Sequence, residues 1–271
     1  MSESSRKVQA GFFRKLREYA MLYLGLGYLG AICLAWTPLA VALYPLLPSG
    51  HGKRLGRFVI NRGFRGYLRF LTGIGACRFD LSALDALRGQ GPLILAPNHP
   101  CLLDAVMVIS RLPDVACIMK AGLMDNVFLG AGARMARYIR NDSPLRMLGS
   151  ATEDLAAGSF LLVFPEGTRT TRRPVNPLMA SVGLISRRSK VPVQTIFIET
   201  ESSYLCKGWP LFRKPEMPVT YRVRLGRRFD PPAKVQPFMA ELEAYFAAEL
   251  AHAVLPELPV QPGVSASPVD A

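Results

Sequence analysis

Residues 91–104 read GPLILAPNHPCLLD, and this stretch decides the fold. Residues 92–96 are almost wholly apolar and long enough for one buried strand; Pro97, Asn98, His99 and Pro100 break the run. A helical apolar pattern from about Cys101 to Arg111 follows, so the order is strand, turn, helix. His99 stands on the turn and Asp104 comes five residues later. That spacing is wrong for two strand positions facing the same way, but a bend followed by one helical turn brings the pair together. The carboxylate can then hold one imidazole nitrogen and leave the other to take a proton. A helix-capping histidine beside an incidental surface aspartate is the alternative with the same spacing.

Working outward, further short apolar runs at 75–79, 115–119, 160–164, 191–198 and 219–225 read as strands. Helical patterns at 57–72, 144–157 and 235–255 separate or follow them, with Asn141, Asp142 and Ser143 as capping groups and Pro144 in the first turn of the second. The region 122–137 keeps an apolar face through Met135, Tyr138 and Ile139 although Gly130 and Gly132 interrupt it. The expected fold class is α/β: a mixed, mostly parallel sheet flanked by helices, preceded by an N-terminal hydrophobic helical hairpin. Reactive groups in such a sheet collect beyond the carboxyl ends of strands, where His99 and Glu166 both fall.

The hairpin is read from residues 20–48, which carry no charge and exceed the roughly 20 residues that span a bilayer. Pro38 divides the stretch, and Pro45 and Pro48 end it. Basic residues lie on both sides, Arg14, Lys15 and Arg17 before it and Lys53, Arg54, Arg57, Arg62, Arg65 and Arg69 after it. A single span would place one cluster on the outer side, whereas a hairpin keeps both on the cytoplasmic face. A helix pair packed on the catalytic domain is the alternative. The expected organisation is a basic, membrane-associating segment at 1–55, a catalytic domain at 56–255 and a disordered tail at 256–271, rich in proline and small residues.

The chain holds 33 Lys plus Arg against 20 Asp plus Glu, a formal charge of +13. That excess favours an anionic partner, and its densest patches flank an uncharged stretch, which points to an anionic membrane surface. No helix-turn-helix signature, zinc-finger pattern or aromatic-basic alternation is present, so nucleic acid is not the expected partner. No GxSxG elbow occurs, and His51, His99 and His252 are too scattered for a catalytic metal, so none is expected. The five cysteines, Cys33, Cys77, Cys101, Cys117 and Cys206, show no CxxC spacing and sit mostly among apolar residues, which reads as an intracellular set of free thiols. For Cys101, a small buried residue is favoured over a nucleophile.

The second constellation is FPEGTR, Phe164 to Arg169, directly after an apolar strand. Gly167 permits a tight turn, Arg169 offers a fork to an anion, and Glu166 can accept from a hydroxyl or organise the arginine. A surface turn with a local ion pair is the alternative.

Taken together, the HxxxxD motif (His99, Pro100, Cys101, Leu102, Leu103, Asp104) and FPEGTR make the chain, over roughly residues 58–230, resemble the lysophosphatidate and glycerol-phosphate acyltransferases. Val191, Pro192 and Val193 add weaker likeness. The resemblance implies fatty acyl transfer from acyl-CoA or acyl carrier protein, a co-substrate rather than a resident cofactor, to the hydroxyl of a lysolipid acceptor such as 1-acylglycerol-3-phosphate. It implies His99 as general base and Asp104 as its orienting partner, with Glu166, Gly167, Thr168 and Arg169 binding the acceptor. Backbone amides at the glycine turn or after His99 would stabilise the oxyanion. With the basic flanks of the uncharged segment, the expectation is an inner-membrane enzyme with its catalytic domain on the cytoplasmic side. Two departures touch acceptor recognition: Arg140 stands out of the family's usual register, leaving Asn141 in the expected place, and the phenylalanine-lysine-x-glycine segment is replaced by residues 177–183. An aminoacyl lysolipid is therefore the alternative acceptor, and a noncatalytic membrane adaptor the rival from another class.

Overall fold

The computed structural model describes residues 3–126 and 130–256. Helix α1 (Glu3–Leu46) leads into α2 (Ser49–Gly73), β1 (Cys77–Asp80) and a 3-10 helix at Ser82–Leu87. Then come β2 (Ile94–Pro97), α3 (Asp104–Arg111), β3 (Val115–Met119), α4 (Ala121–Met124), α5 (Gly130–Met135) and β4 (Ile139–Arg140). The chain continues through α6 (Pro144–Ala156), β5 (Phe160–Leu162), α7 (Ser181–Ser189), β6 (Val193–Glu199), β7 (Val219–Phe229) and α8 (Val235–Ala251).

The seven strands form one sheet in the order β1-β7-β6-β2-β5-β3-β4, parallel at every pairing except β6 with β7. This is the mixed, mostly parallel sheet that the alternating pattern predicts. Successive strand residues serve opposite faces. Leu95, Cys117, Leu162 and Ile196 join a core with α2 and α3, whereas Ile94, Ala116, Leu161 and Phe197 join one with α6, α7 and α8. Burial on both faces explains why β2 and β5 are apolar throughout.

The N-terminal expectation needs correction. The apolar stretch does not fold back on itself at Pro38; α1 is one 44-residue helix that contains Pro38 and Pro45. The reversal comes at Pro48, whose φ of −52° and ψ of 142° are extended, and α2 returns antiparallel along α1. Tyr28 stacks on Phe70 with centroids 4.3 Å apart, and a Cβ on Gly25 would lie 2.9 Å from Leu71 Cδ2. The second arm of the hairpin is thus the basic helix, half of which packs on the sheet's helices. The expected boundary at 55/56 falls inside α2, where Gly56 lies so close to α5 that a Cβ would come within 2.6 Å of Ala136 N. The segment from 257 onward, expected to be a disordered tail, lies outside the described residues.

Among the described residues, α1 is the one helix long and apolar enough to cross a membrane. It also touches the α/β body near Glu18 and near its C-terminal end. Glu18 is buried and pairs with Lys214, Tyr23 stacks on Phe212, and Tyr44 accepts a hydrogen bond from Arg137 at 2.8 Å. Between these contacts Leu24, Leu34, Leu39 and Val41 remain exposed.

Candidate active site

The turn after β2 is fixed from both sides. Asn98 is buried and clasps β6, its Nδ2 donating to Ile198 O at 3.0 Å and its Oδ1 accepting from Ile198 N–H at 2.7 Å. Helix α3 begins at Asp104 rather than at Cys101, because the Asp104 carboxylate accepts the Cys101 amide at 2.8 Å and holds residues 100–103 in a turn.

The same carboxylate oxygen, Oδ2, lies 2.8 Å from His99 Nδ1. Asp104 has no exposed surface, while the His99 side chain keeps 17% of its own. Oδ1 of Asp104 accepts from the Cys101 thiol at 3.0 Å. Burial, with Asp104 beside it, pushes that thiol well above its ordinary pKa, so it stays protonated and serves as a donor, not a nucleophile. Both Asp104 oxygens are thus satisfied within the protein, and the ring of His99 is seated face to face on Phe164 at 3.9 Å. Among the described residues, His99 Nε2 has no protein partner.

Glu166, expected at the acceptor, is held by three internal hydrogen bonds. It is buried, and its Oε1 accepts the His99 amide at 2.9 Å and the Thr170 hydroxyl at 2.8 Å, while Oε2 accepts the Asn176 amide at 3.0 Å. Burial raises its pKa and these three bonds oppose the rise. Through these three bonds Glu166 ties the histidine turn to the segment that follows it. Gly167 has φ +65°, and a Cβ there would fall 2.1 Å from Met179 Sδ, so the turn requires glycine.

Arg169 is half-buried, and its Nη1 donates to the carbonyls of Leu205 and Cys206, both at 2.8 Å. The Leu205 carbonyl also accepts the Leu102 amide. Arg169 therefore ties the β6–β7 loop to the histidine turn, and this part of its fork is not directed at an anion. Thr168 lies half-buried in the same turn. Arg140 and Asn141 are elsewhere, at the sheet edge on β4, three strand spacings or roughly 14 Å from β2. Arg140 is held by Asp125 at 2.8 and 3.3 Å and by Asp142 at 2.8 Å, and Asn141 Oδ1 accepts the Ala121 amide.

Three of the amides expected to serve an oxyanion are occupied: Cys101 N–H by Asp104, Leu102 N–H by Leu205 O and Gly167 N–H by Phe164 O. Reading the sequence missed the supporting parts played by Asn98, Cys101 and Asn176, because each acts on a partner that spacing does not reveal, apart from Cys101, which lies three residues before Asp104.

Replacing Cys101 by Ala removes one donor from Asp104 while leaving its amide in place. The expected cost is about 1 kcal/mol, roughly a fivefold fall in kcat with KM unchanged. Cys101→Ser, which keeps a hydroxyl donor, restores most of the rate. Steady-state kinetics check this, and equal rates for the Ala and Ser proteins contradict it.

Comparison with known proteins places this geometry in context. Residues 78–199 match the sequence profile of the acyltransferase family. Over 243 residues the chain is 20% identical to a 1-acyl-sn-glycerol-3-phosphate acyltransferase from Pseudomonas aeruginosa, covering 88% of this chain and 91% of that protein. Its fold is similar to the crystal structure of the 1-acyl-sn-glycerophosphate (LPA) acyltransferase PlsC from Thermotoga maritima, with a TM-score of 0.64 and 17% identity, covering 88% of this chain and 96% of that one.

Proposed function

We propose, from the premise that residues 78–199 form a domain of the acyltransferase family and that the chain is an O-acyltransferase, that it acylates a membrane lysolipid, foremost 1-acylglycerol-3-phosphate. The donor is a fatty acyl thioester, acyl-CoA or acyl carrier protein. The observation that carries this reading is the His99–Asp104 pair: a histidine held at Nδ1 by a buried carboxylate, with Nε2 free of protein partners.

His99 Nε2 takes the proton of the acceptor hydroxyl as its oxygen attacks the thioester carbonyl. Asp104 keeps the proton on Nδ1 and stabilises the imidazolium that forms. The tetrahedral oxyanion is met by the Thr168 and Arg169 amides, which among the described residues have no protein acceptor. Collapse forms the new ester, breaks the carbon–sulfur bond and expels the thiolate, which recovers the proton from His99. No acyl group passes through the protein.

The α1 helix holds the enzyme at the bilayer. Its contacts with the α/β body at Glu18 and Tyr44, about 39 Å apart along the helix, support a helix lying along the membrane face over one that crosses it. Leu24, Leu34, Leu39 and Val41 would then enter the lipid, with the catalytic domain on the cytoplasmic side.

A second acceptor is favoured by one observation: Arg140 is neutralised by two aspartates and Arg169 Nη1 is on two carbonyls, so neither presents a whole fork to a phosphate. An aminoacyl lysolipid avoids that need. Competing the two acceptors with one acyl thioester, with products followed by mass spectrometry, separates the readings. The phosphate reading expects kcat/KM at least about tenfold higher for 1-acylglycerol-3-phosphate, about 1.4 kcal/mol of discrimination. A preference of that size for the aminoacyl lysolipid overturns it in favour of the second.

A further inference from the structure

Away from the catalytic turn, a groove of about 710 Å³ lies between α2, the C-terminal end of α3 and the 3-10 helix. Arg65, Arg69, Arg88 and Arg111 line it over an apolar floor that includes Leu68 and Phe79. Arg62 stands beside them on α2, since residues 62, 65 and 69 share one helical face. Among the described residues, one carboxylate, Asp85, pairs with members of this set of five guanidiniums. Asp85 meets Arg88 at 2.9 Å and also meets Arg111, whereas Asp80 accepts from Ser82 and lies 3.9 Å from Arg222, outside the set.

The neighbouring guanidiniums act on one another. Burial, then Arg62, Arg88, Arg111 and Arg69 in turn, lower the pKa of Arg65. Among the described residues, the buried Nε of Arg111 has no acceptor. Such mutual repulsion over an apolar floor is relieved by a ligand with a phosphate above an apolar body. The groove also has the right neighbour. Helix α2 meets α1 through Gly63, Gly66 and Phe70, so its arginine face flanks the helix that seeks the membrane. The catalytic turn is at the other end of α3, about 12 Å of helix away.

We propose that this groove binds the phosphate headgroup of an anionic phospholipid, a membrane-lipid site separate from the one where acyl transfer occurs. The assignment rests on α1 as the membrane-seeking element, and the two are tested apart.

The experiment uses the full chain with phosphatidylcholine vesicles and with vesicles that also carry phosphatidylglycerol. Wild-type protein binds both, the second more tightly at low salt. Arg69→Gln with Arg88→Gln, both exposed positions, weakens binding to the anionic vesicles by about thirtyfold and leaves binding to phosphatidylcholine unchanged. The corresponding double Lys variant keeps most of the affinity. So does Arg187→Gln with Arg188→Gln, which removes the same charge from α7. Equal losses in the groove and α7 pairs overturn the site. A groove variant that loses only turnover with acyl carrier protein overturns it in favour of a protein partner. Thermal stabilisation by inorganic phosphate, lost in the groove variant with vesicle binding unchanged, overturns it in favour of a soluble phosphate. If no protein binds phosphatidylcholine but the phosphatidylglycerol difference persists, the α1 reading fails and the groove stands.

Discussion

Replacing His99 by Ala is expected to lower kcat for acyl transfer by about 10²- to 10⁴-fold, with thermal stability and vesicle binding close to those of the unaltered protein. The effect is large because no second histidine stands near the turn; His51 and His252 fall on α2 and just after α8. Folding should survive because the features that shape the turn do not use the imidazole: Glu166 grips the His99 amide, Thr170 N–H grips its carbonyl and Asn98 grips β6. Asp104→Asn should fall toward the same range, since a carboxamide at this position can donate to Nδ1 and turn the wrong nitrogen toward the acceptor. Assays with acyl thioester and lysolipid check both. A His99→Ala enzyme with unaltered turnover removes the base from the mechanism.

The second large effect is on stability and lies at Arg57, only 2% exposed. Its guanidinium donates to Ala136 O at 3.1 Å, Asp114 at 2.8 Å, Ser159 at 2.9 Å and Asp154 at 2.9 Å, so one side chain joins α2 to α5, α6 and the loops before β3 and β5. Arg57→Ala leaves Asp154 buried with Lys53 as its remaining cation and should cost about 3–5 kcal/mol. The melting temperature in detergent reports this directly, and a loss under about 1 kcal/mol contradicts it. The cluster also sets a sign for acid. Burial acts to raise the Asp114 pKa, but bonds from Arg57 and Ser159 outweigh it and hold the carboxyl below the ordinary value. A carboxylate depressed in the folded state stabilises above its unfolded pKa of about 3.9, and that contribution disappears as pH falls through the lower folded value. The wild-type protein should therefore lose more stability than Arg57→Ala on acidification through that window.

The strand, turn and dyad were legible in the sequence because each rests on local chemistry. An apolar run makes β2, Pro97 and Pro100 break it, and Asp104 reaches back over five residues to His99. Features formed across long stretches of chain were not. Glu166 meets His99 over 67 residues and Arg169 meets Leu205 over 36, so neither contact can be read from local spacing. Arg140 shows the same problem at shorter range, since Asp125 comes from the far side of α5. Helix α7 is hidden in the sequence because Arg187, Arg188 and Lys190 mask a short apolar face; Gly183 lets Val235, Phe238 and Met239 approach it within 3.1–3.2 Å of a Cβ. At Pro38 the error ran the other way. A proline forfeits one helical hydrogen bond, yet α1 continues because Trp36, Ala40 and Leu43 pack with Ala131 and Met135 of α5 on either side of it.

The most direct measurement is a single turnover with enzyme in excess over an isotopically labelled acyl thioester, first without and then with 1-acylglycerol-3-phosphate. Mass spectrometry follows the label in lipid and in intact protein. Direct attack on the thioester under His99 catalysis predicts label only in the diacyl product, none on the protein before acceptor is added, and little product from His99→Ala. Label retained on the protein without acceptor, or transfer by His99→Ala at the wild-type rate, contradicts it.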